Sequence, residues 1–273
     1  MDRFYYEHTN LIGIPTSYFA SPAFNLSPSP IHLNGVMEMN APLFKAMDTM
    51  ETSDDVANIF IEHMRVMFEL DVKPPEGKRK SFRANFARLI KGWRFDSNRP
   101  EGAVMKGWAE SRFGLPPLYH AQKITNVNSP AYMAYTAEKM HARFNNNAIY
   151  SQFDLLYEYC QYYQRRFGPR TGKYKLFRGA NISGDEQEII EKRGKLLWVT
   201  RNNSLVSYTS DVERADEFGG TILQTEVPFE KVLCFPNLLP GLISGDEKEY
   251  IVLGGDYISS VVNVLSVSKS RKK

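Results

Sequence analysis

The pattern of apolar and polar positions changes period near residue 168. From Ser53, the residues Val56, Ile59, Phe60, His63, Met64 and Met67 recur at helical spacing, with Asp54 and Asp55 in the first turn. Ser53 is placed to cap this helix, which must end before Pro74 and Pro75. Phe82, Phe86, Leu89, Ile90 and Trp93 stand at i, i+4, i+7, i+8 and i+11 and predict a second amphipathic helix. Its other face carries Lys78, Arg79, Lys80, Arg83, Arg88, Lys91 and Arg94 without an intervening acid. That face reads either as solvated surface or as a docking surface for an acidic partner or a phosphate backbone. Helical spacing continues through EGAVMKGWAESRF, SPAYMAYTAEKMHARF and SQFDLLYEYCQYYQRRF, the last with Leu156, Cys160, Tyr163 and Phe167 as its apolar stripe. Residues 1 to 50 predict an irregular lead-in that wraps the surface, because Pro22, Pro28, Pro30 and Gly35 interrupt SPAFNLSPSPIHLNG.

After GPRTGK the segments KYKLFRGANI, KLLWVT, SLVSYTS, TILQTEVPF, KVLCFP and EYIVLGGDYISSVVNVLSV are short and rich in Val, Ile, Tyr and Leu, and predict strands. A single helix interrupts them from Asp211 to Phe218, with Ser210 and Glu213 forming a capping box and Gly219 as its stop. Helices and strands are therefore segregated, which predicts an α+β fold and argues against βαβ alternation. The expected division is a mainly helical region over 1–168 and a mainly antiparallel sheet region over 169–273.

Composition narrows the function only by exclusion. With 42% apolar and 24% charged residues the chain reads as an ordinary globular protein, and its net charge of +3 does not point to nucleic acid. MDRFYYEHTNLIG holds no apolar stretch of signal-peptide type, and no run of about 18 apolar residues occurs, so a cytoplasmic location is expected. Cys160 and Cys234 read as small buried hydrophobes, and the five histidines are scattered, so no metal is expected. Gly179 and Gly184 are spaced like P-loop glycines, but no Lys and Ser or Thr follow. The sequence also lacks GxGxxG after a strand and a GxSxG elbow.

Three polar features sit at the edges of apolar strands. Arg178 ends KYKLF, where it can fork onto a phosphate or make a structural ion pair, and Gly179 after it leaves room for a ligand at the backbone. Ser207 and Thr209 share one face of an extended strand, presenting two hydroxyls or satisfying a sheet edge. Glu247 and Glu249 flank Lys248 at the mouth of a strongly apolar strand, as a carboxylate pair or as a hydrophilic turn.

In chain order these features resemble the Arg, Ser, Glu signature of the arginine-directed mono-ADP-ribosyltransferases: an Arg-Gly strand, a Ser-x-Thr/Ser strand leading to an AxxF helix, and Glu-x-Glu. TNLIGIP, KGWRFDS, KGWAESRFGL, LLYEYCQY, ERADEFG and LLPG narrow the resemblance to the dinitrogenase reductase ADP-ribosyltransferase family, over nearly the whole chain. The resemblance implies a split antiparallel sheet core and NAD+ as co-substrate. The implied acceptor is an arginine of the nitrogenase iron protein, whose modification switches nitrogen fixation off under control of a PII-type signalling protein. It further implies that Glu249 stabilises the ribosyl cation and Ser207 orients it. Arg178 would neutralise the NAD phosphates, with Gly179 and Thr209 also in the NAD site and Phe218 either stacking on the nicotinamide there or serving as a core aromatic, and Glu247 would hold and deprotonate the acceptor guanidinium. The wider superfamily often has Ser-Thr-Ser, whereas here Ser207-Tyr208-Thr209-Ser210 admits Ser207 or Ser210 as the catalytic serine; strand alternation favours Ser207, with Ser210 as helix cap. Leu238 to Asp246 is placed as a target-reading loop. The alternatives are an NAD glycohydrolase, a transferase acting on another protein, or a nucleic-acid-binding module with an inactive transferase fold.

Overall fold

The structure, a computed structural model, describes residues 9–70, 84–141, 143–146, 148–181, 187–242 and 248–262. Among the described residues, the predicted irregular lead-in instead holds four short helices: α1 (Thr16–Phe19), α2 (Pro22–Leu26), α3 (Val36–Met39) and α4 (Ala41–Asp48). Proline stands in the first turn of two of them rather than preventing them. Pro22 stands in the first turn of α2, where its missing N–H costs nothing, and the Ser21 hydroxyl accepts from the Phe24 N–H; Pro42 has the same place in α4. Nor does the segment merely cover the surface, because Phe19, Phe24, Ile31 and Leu33 are buried.

The helix α5 (Ser53–Met67) begins one residue earlier than predicted, because Thr52 rather than Ser53 caps it, accepting the Asp55 N–H at 3.1 Å. In α6 (Phe86–Phe95) Phe86, Leu89, Ile90 and Trp93 are buried, as the period requires. Phe82 and the basic residues 78–80 and 83 lie outside the described residues. Next come α7 (Pro100–Phe113), a small hairpin of β1 (Tyr119–His120) and β2 (Gln122–Lys123), α8 (Pro130–Lys139) and α9 (Ile149–Phe167). The polar side chains of α9 join it to the rest of the molecule. Gln152 Oε1 accepts the first N–H of α6 at 3.0 Å, and the Tyr157 hydroxyl and the Gln161 amide donate to the carbonyls of Glu230, Phe229 and Val232.

The strands β3 (Lys173–Ala180), β4 (Gln187–Lys192), β5 (Leu197–Thr209), β6 (Thr221–Pro228), β7 (Val232–Cys234) and β8 (Glu249–Val262) form one antiparallel sheet. β8 pairs with β5, β6 and β7, and β6 pairs with β3 along its whole length. β3 meets β5 only at Phe177 and Thr209, so these two strands diverge.

Two features of the sheet differ from the sequence expectation. β4 is an added strand, and KLLWVT and SLVSYTS are one strand bulged between Asn202 and Leu205. The bulge is stabilised because Asn203 accepts from the Leu118 and Ser204 N–H groups and donates to the Tyr119 carbonyl. A third difference is the cap of α10 (Val212–Asp216): Asp211, not Ser210, accepts the Glu213 N–H, and the helix stops before Phe218. One apolar core joins Phe60, Trp108 and Tyr159 of the helices to Tyr208, Leu253 and Tyr257 of the sheet. Among the described residues no helix is long and apolar enough to cross a membrane.

His120 is buried between two charges. Lys106 Nζ, a donor only, lies 3.3 Å from its Nδ1, so Nε2 carries the proton and donates to Glu138 at 2.9 Å. Burial first, and Lys106 second, hold its pKa below the ordinary value. The unfolded chain therefore takes up a proton below about pH 6.5 that the folded chain refuses, and stability falls as pH drops from there toward the folded pKa, at up to about 1.4 kcal/mol per pH unit. His120→Gln is expected to flatten the fall in melting temperature between about pH 7 and 5. A melting series with an unchanged slope would reject that role.

Candidate active site

Where β3 and β5 diverge, a cleft of about 520 Å³ opens, within the usual range for small-ligand sites. Arg178, Gly179, Ser207, Thr209, Phe218 and Glu249 all line it. Glu247, the remaining site residue expected from the sequence, lies outside the described residues, as does 243–246 of the expected target-reading loop.

Sheet register brings the polar groups together. Thr209 stands opposite Glu249 and Ser207 opposite Ile251, so Ser207 and Glu249 are diagonal neighbours on one face. The Ser207 hydroxyl donates to Glu249 Oε1 at 2.6 Å. From β3, an Arg178 Nη donates to the Ser207 carbonyl at 2.8 Å and bridges the gap between the diverging strands. Glu249 is buried, and a buried carboxylate needs partners. Its second partner is Arg94, whose Nε donates to Oε2 at 2.8 Å, the two side chains being only 11% and 10% exposed. Trp93, the preceding residue, donates its indole N–H to the Ser207 oxygen at 3.0 Å.

The docking reading of the basic helix is thereby corrected for Arg94, which points into the cleft, while Arg88 and Lys91 of the same helix are exposed. The sequence did carry the signal. Arg94 lies four residues after Ile90 and eight after Phe86, both buried, so it extends a core-facing row rather than the solvated one.

The sequence model of the family described as "Dinitrogenase reductase ADP-ribosyltransferase (DRAT)" matches residues 9–261. A curated relative, the NAD(+)--dinitrogen-reductase ADP-D-ribosyltransferase of Rhodospirillum rubrum, is 43% identical over 257 residues, covering 92% of this chain and 93% of the relative. The chain belongs to the dinitrogenase reductase ADP-ribosyltransferase family. No solved structure matches it.

Other cleft residues of this family member have local roles of their own. Thr209 Oγ1 accepts the Asp211 N–H at 3.1 Å and shapes the turn into α10. Ser210 donates its backbone N–H to the Lys248 carbonyl, joining β5 to the mouth of β8. Lys248, at a left-handed φ of 48°, pairs with Asp211 at 2.8 Å, and this hydrogen bond holds the Asp211 carboxyl below its ordinary range. Gly179 has a packing cause beyond the one read from sequence: a Cβ there would lie 2.0 Å from the Ala215 carbonyl oxygen of α10. Phe218, 64% exposed, is not a core aromatic; it stands at the cleft with the Arg214 guanidinium 5.4 Å from its ring centre.

Proposed function

We propose that this chain transfers ADP-ribose from NAD+ to an arginine of dinitrogenase reductase, the substrate named for its relative, with Glu249, Ser207 and Arg178 as the reaction centre. The observation that carries this reading is the continuous run of contacts from Arg178 through Ser207 to Glu249 on the floor of one cleft. On this reading the diverging β3 and β5 correspond to the split sheet of the ADP-ribosyltransferase type.

Breaking the bond between nicotinamide and ribose leaves positive charge on the sugar, as in glycoside hydrolysis. A fixed carboxylate stabilises that charge more than it stabilises the uncharged ribose of the ground state, which is the requirement for acceleration. Glu249 has that role and also accepts from a ribose hydroxyl. Ser207 orients it, and Arg178 neutralises phosphate charge. Gly179 offers backbone groups to the nicotinamide amide, Thr209 lines the site, and Phe218 stacks on the nicotinamide ring at the rim. The acceptor guanidinium, protonated at any ordinary pH, is no nucleophile until it loses a proton. Glu247, two residues before Glu249, is the base we assign to that proton.

Incubating the chain with purified dinitrogenase reductase and NAD+ labelled in the adenylate half tests the proposal. Label on an arginine peptide of the acceptor supports it, and label released only as free ADP-ribose rejects the transferase reading. Glu247→Gln is expected to lower transfer to arginine further than hydrolysis of NAD+. Equal losses in the two rates would reject the division of labour between the glutamates.

A further inference from the structure

We propose that Trp93 and Arg94, consecutive residues in the last turn of α6, are positioning residues that hold Glu249 ionised and correctly turned for the reaction. This rests on the reading of Glu249 as the catalytic carboxylate.

Donor chemistry fixes the direction of every hydrogen bond in the cluster. An indole N–H can only donate, so the Ser207 oxygen accepts from Trp93 at 3.0 Å and its own proton is left for Glu249 Oε1 at 2.6 Å. Without the indole, the hydroxyl rotor has one fewer reason to face the carboxylate. Arg94 Nε is likewise only a donor, so Oε2 accepts at 2.8 Å. Both carboxylate oxygens are thus engaged as acceptors, which favours the ionised form, and the guanidinium charge favours it further.

The supports are themselves held in place. Trp93 is buried, with the Lys106 ammonium 5.9 Å from its ring centre. Lys106 in turn donates to Asn98 Oδ1 and to the Tyr119 carbonyl. At its other end α6 is tied to α9 through the Phe86 N–H on Gln152. The orientation of a carboxylate on the sheet is therefore set by a helix of the other region of the chain.

Several charged or titratable groups share the cleft with Glu249 or stand beside it. Arg94 and Asp96 come from α6 and its end, Arg178 from β3, and Arg214 from α10. Cys234 lies on β7, Lys248 with its partner Asp211 stands at the strand mouth, and Glu247 precedes them in sequence. Burial pushes the Cys234 thiol up to about 12, so it stays neutral over the range tested. Arg94 Nε donates to Oε2 at 2.8 Å.

The test follows nicotinamide release from NAD+ between about pH 4 and 8 for the full chain. Trp93→Phe keeps an aromatic ring and removes the N–H; kcat is expected to fall about tenfold while KM for NAD+ stays within about twofold. Arg94→Met should move the acid limb of kcat/KM upward by about one pH unit or more, and Arg94→Lys should return most of that shift. A merely structural role would lower the rate equally at all pH values. Unchanged kcat in Trp93→Phe overturns the proposal, as does an unmoved acid limb in folded Arg94→Met or a rate that rises at every pH. Trp93→Phe decides it alone if Arg94→Met does not fold. Glu249→Gln separates the two levels. If it is inactive while the Trp93 and Arg94 variants behave as wild type, only this inference fails; if it is active, the reading of the site fails too.

Discussion

Glu249→Gln lowers nicotinamide release from NAD+ by about 100-fold or more, the loss seen when a preorganised charge-stabilising group is removed. The substitution is nearly isosteric, and the amide oxygen can still accept from the Ser207 hydroxyl, now 2.6 Å from Oε1. What disappears is the negative charge opposite the sugar that becomes positive. NAD+ affinity should change far less than kcat, because the ground-state ribose carries no charge for Glu249 to meet. One side effect is built in: Arg94, at 2.8 Å, loses its counter-ion while only 11% exposed, so thermal melting must accompany the kinetics. Glycohydrolase activity retained in a folded Glu249→Gln would contradict the assignment of this residue.

Gly179→Ala is expected to cost about 1–3 kcal/mol of stability and to reduce activity more than tenfold, through backbone displacement rather than loss of a functional group. The added Cβ would fall 2.0 Å from the Ala215 carbonyl and 2.9 Å from the Gly219 nitrogen, both backbone atoms with no rotamer to yield. Either β3 or α10 must move. β3 carries Arg178, whose contact with the Ser207 carbonyl spans the cleft, and α10 carries Arg214 ahead of Phe218 at its edge. Gly220→Ala is the control: among the described residues, no atom beyond its chain neighbours lies within 4 Å of the added Cβ, and the loss of unfolded-state freedom should leave stability equal or slightly raised. Equal melting temperatures and rates for the two variants would dismiss the close approach of strand and helix as the reason for glycine at 179.

β3 and the strands from β5 onward were legible because Val, Ile, Tyr and Leu cluster between turn residues; strand alternation put Ser207 beside Thr209, and the pairing of β5 with β8 then brings Glu249 to the same face. Other elements were hidden by competing physics. Pro22 read as a breaker, yet it occupies a first-turn position where proline is tolerated, as Pro42 does in α4. KLLWVT and SLVSYTS read as two strands, whereas the Asn202 amide nitrogen donates to the Tyr208 hydroxyl and the Asn203 amide nitrogen to the Tyr119 carbonyl inside a bulge of one strand. The cap of α10 shifted from Ser210 to Asp211, a one-residue choice between two good capping residues. Arg94 was grouped with the solvated cations because charge outweighed its row; its i−4 neighbour Ile90 marked it as inward-facing, but its partner Glu249 lies 155 residues away, beyond the reach of local pattern.

A crystal structure of the chain with NAD+ bound tests the central claim most directly. The account predicts the ribose next to nicotinamide within hydrogen-bond distance of the Glu249 carboxylate, and the phosphates on the Arg178 side of the same cleft. NAD+ bound elsewhere, with Glu249 still closed between Ser207 and Arg94 and touching no part of it, would contradict the account.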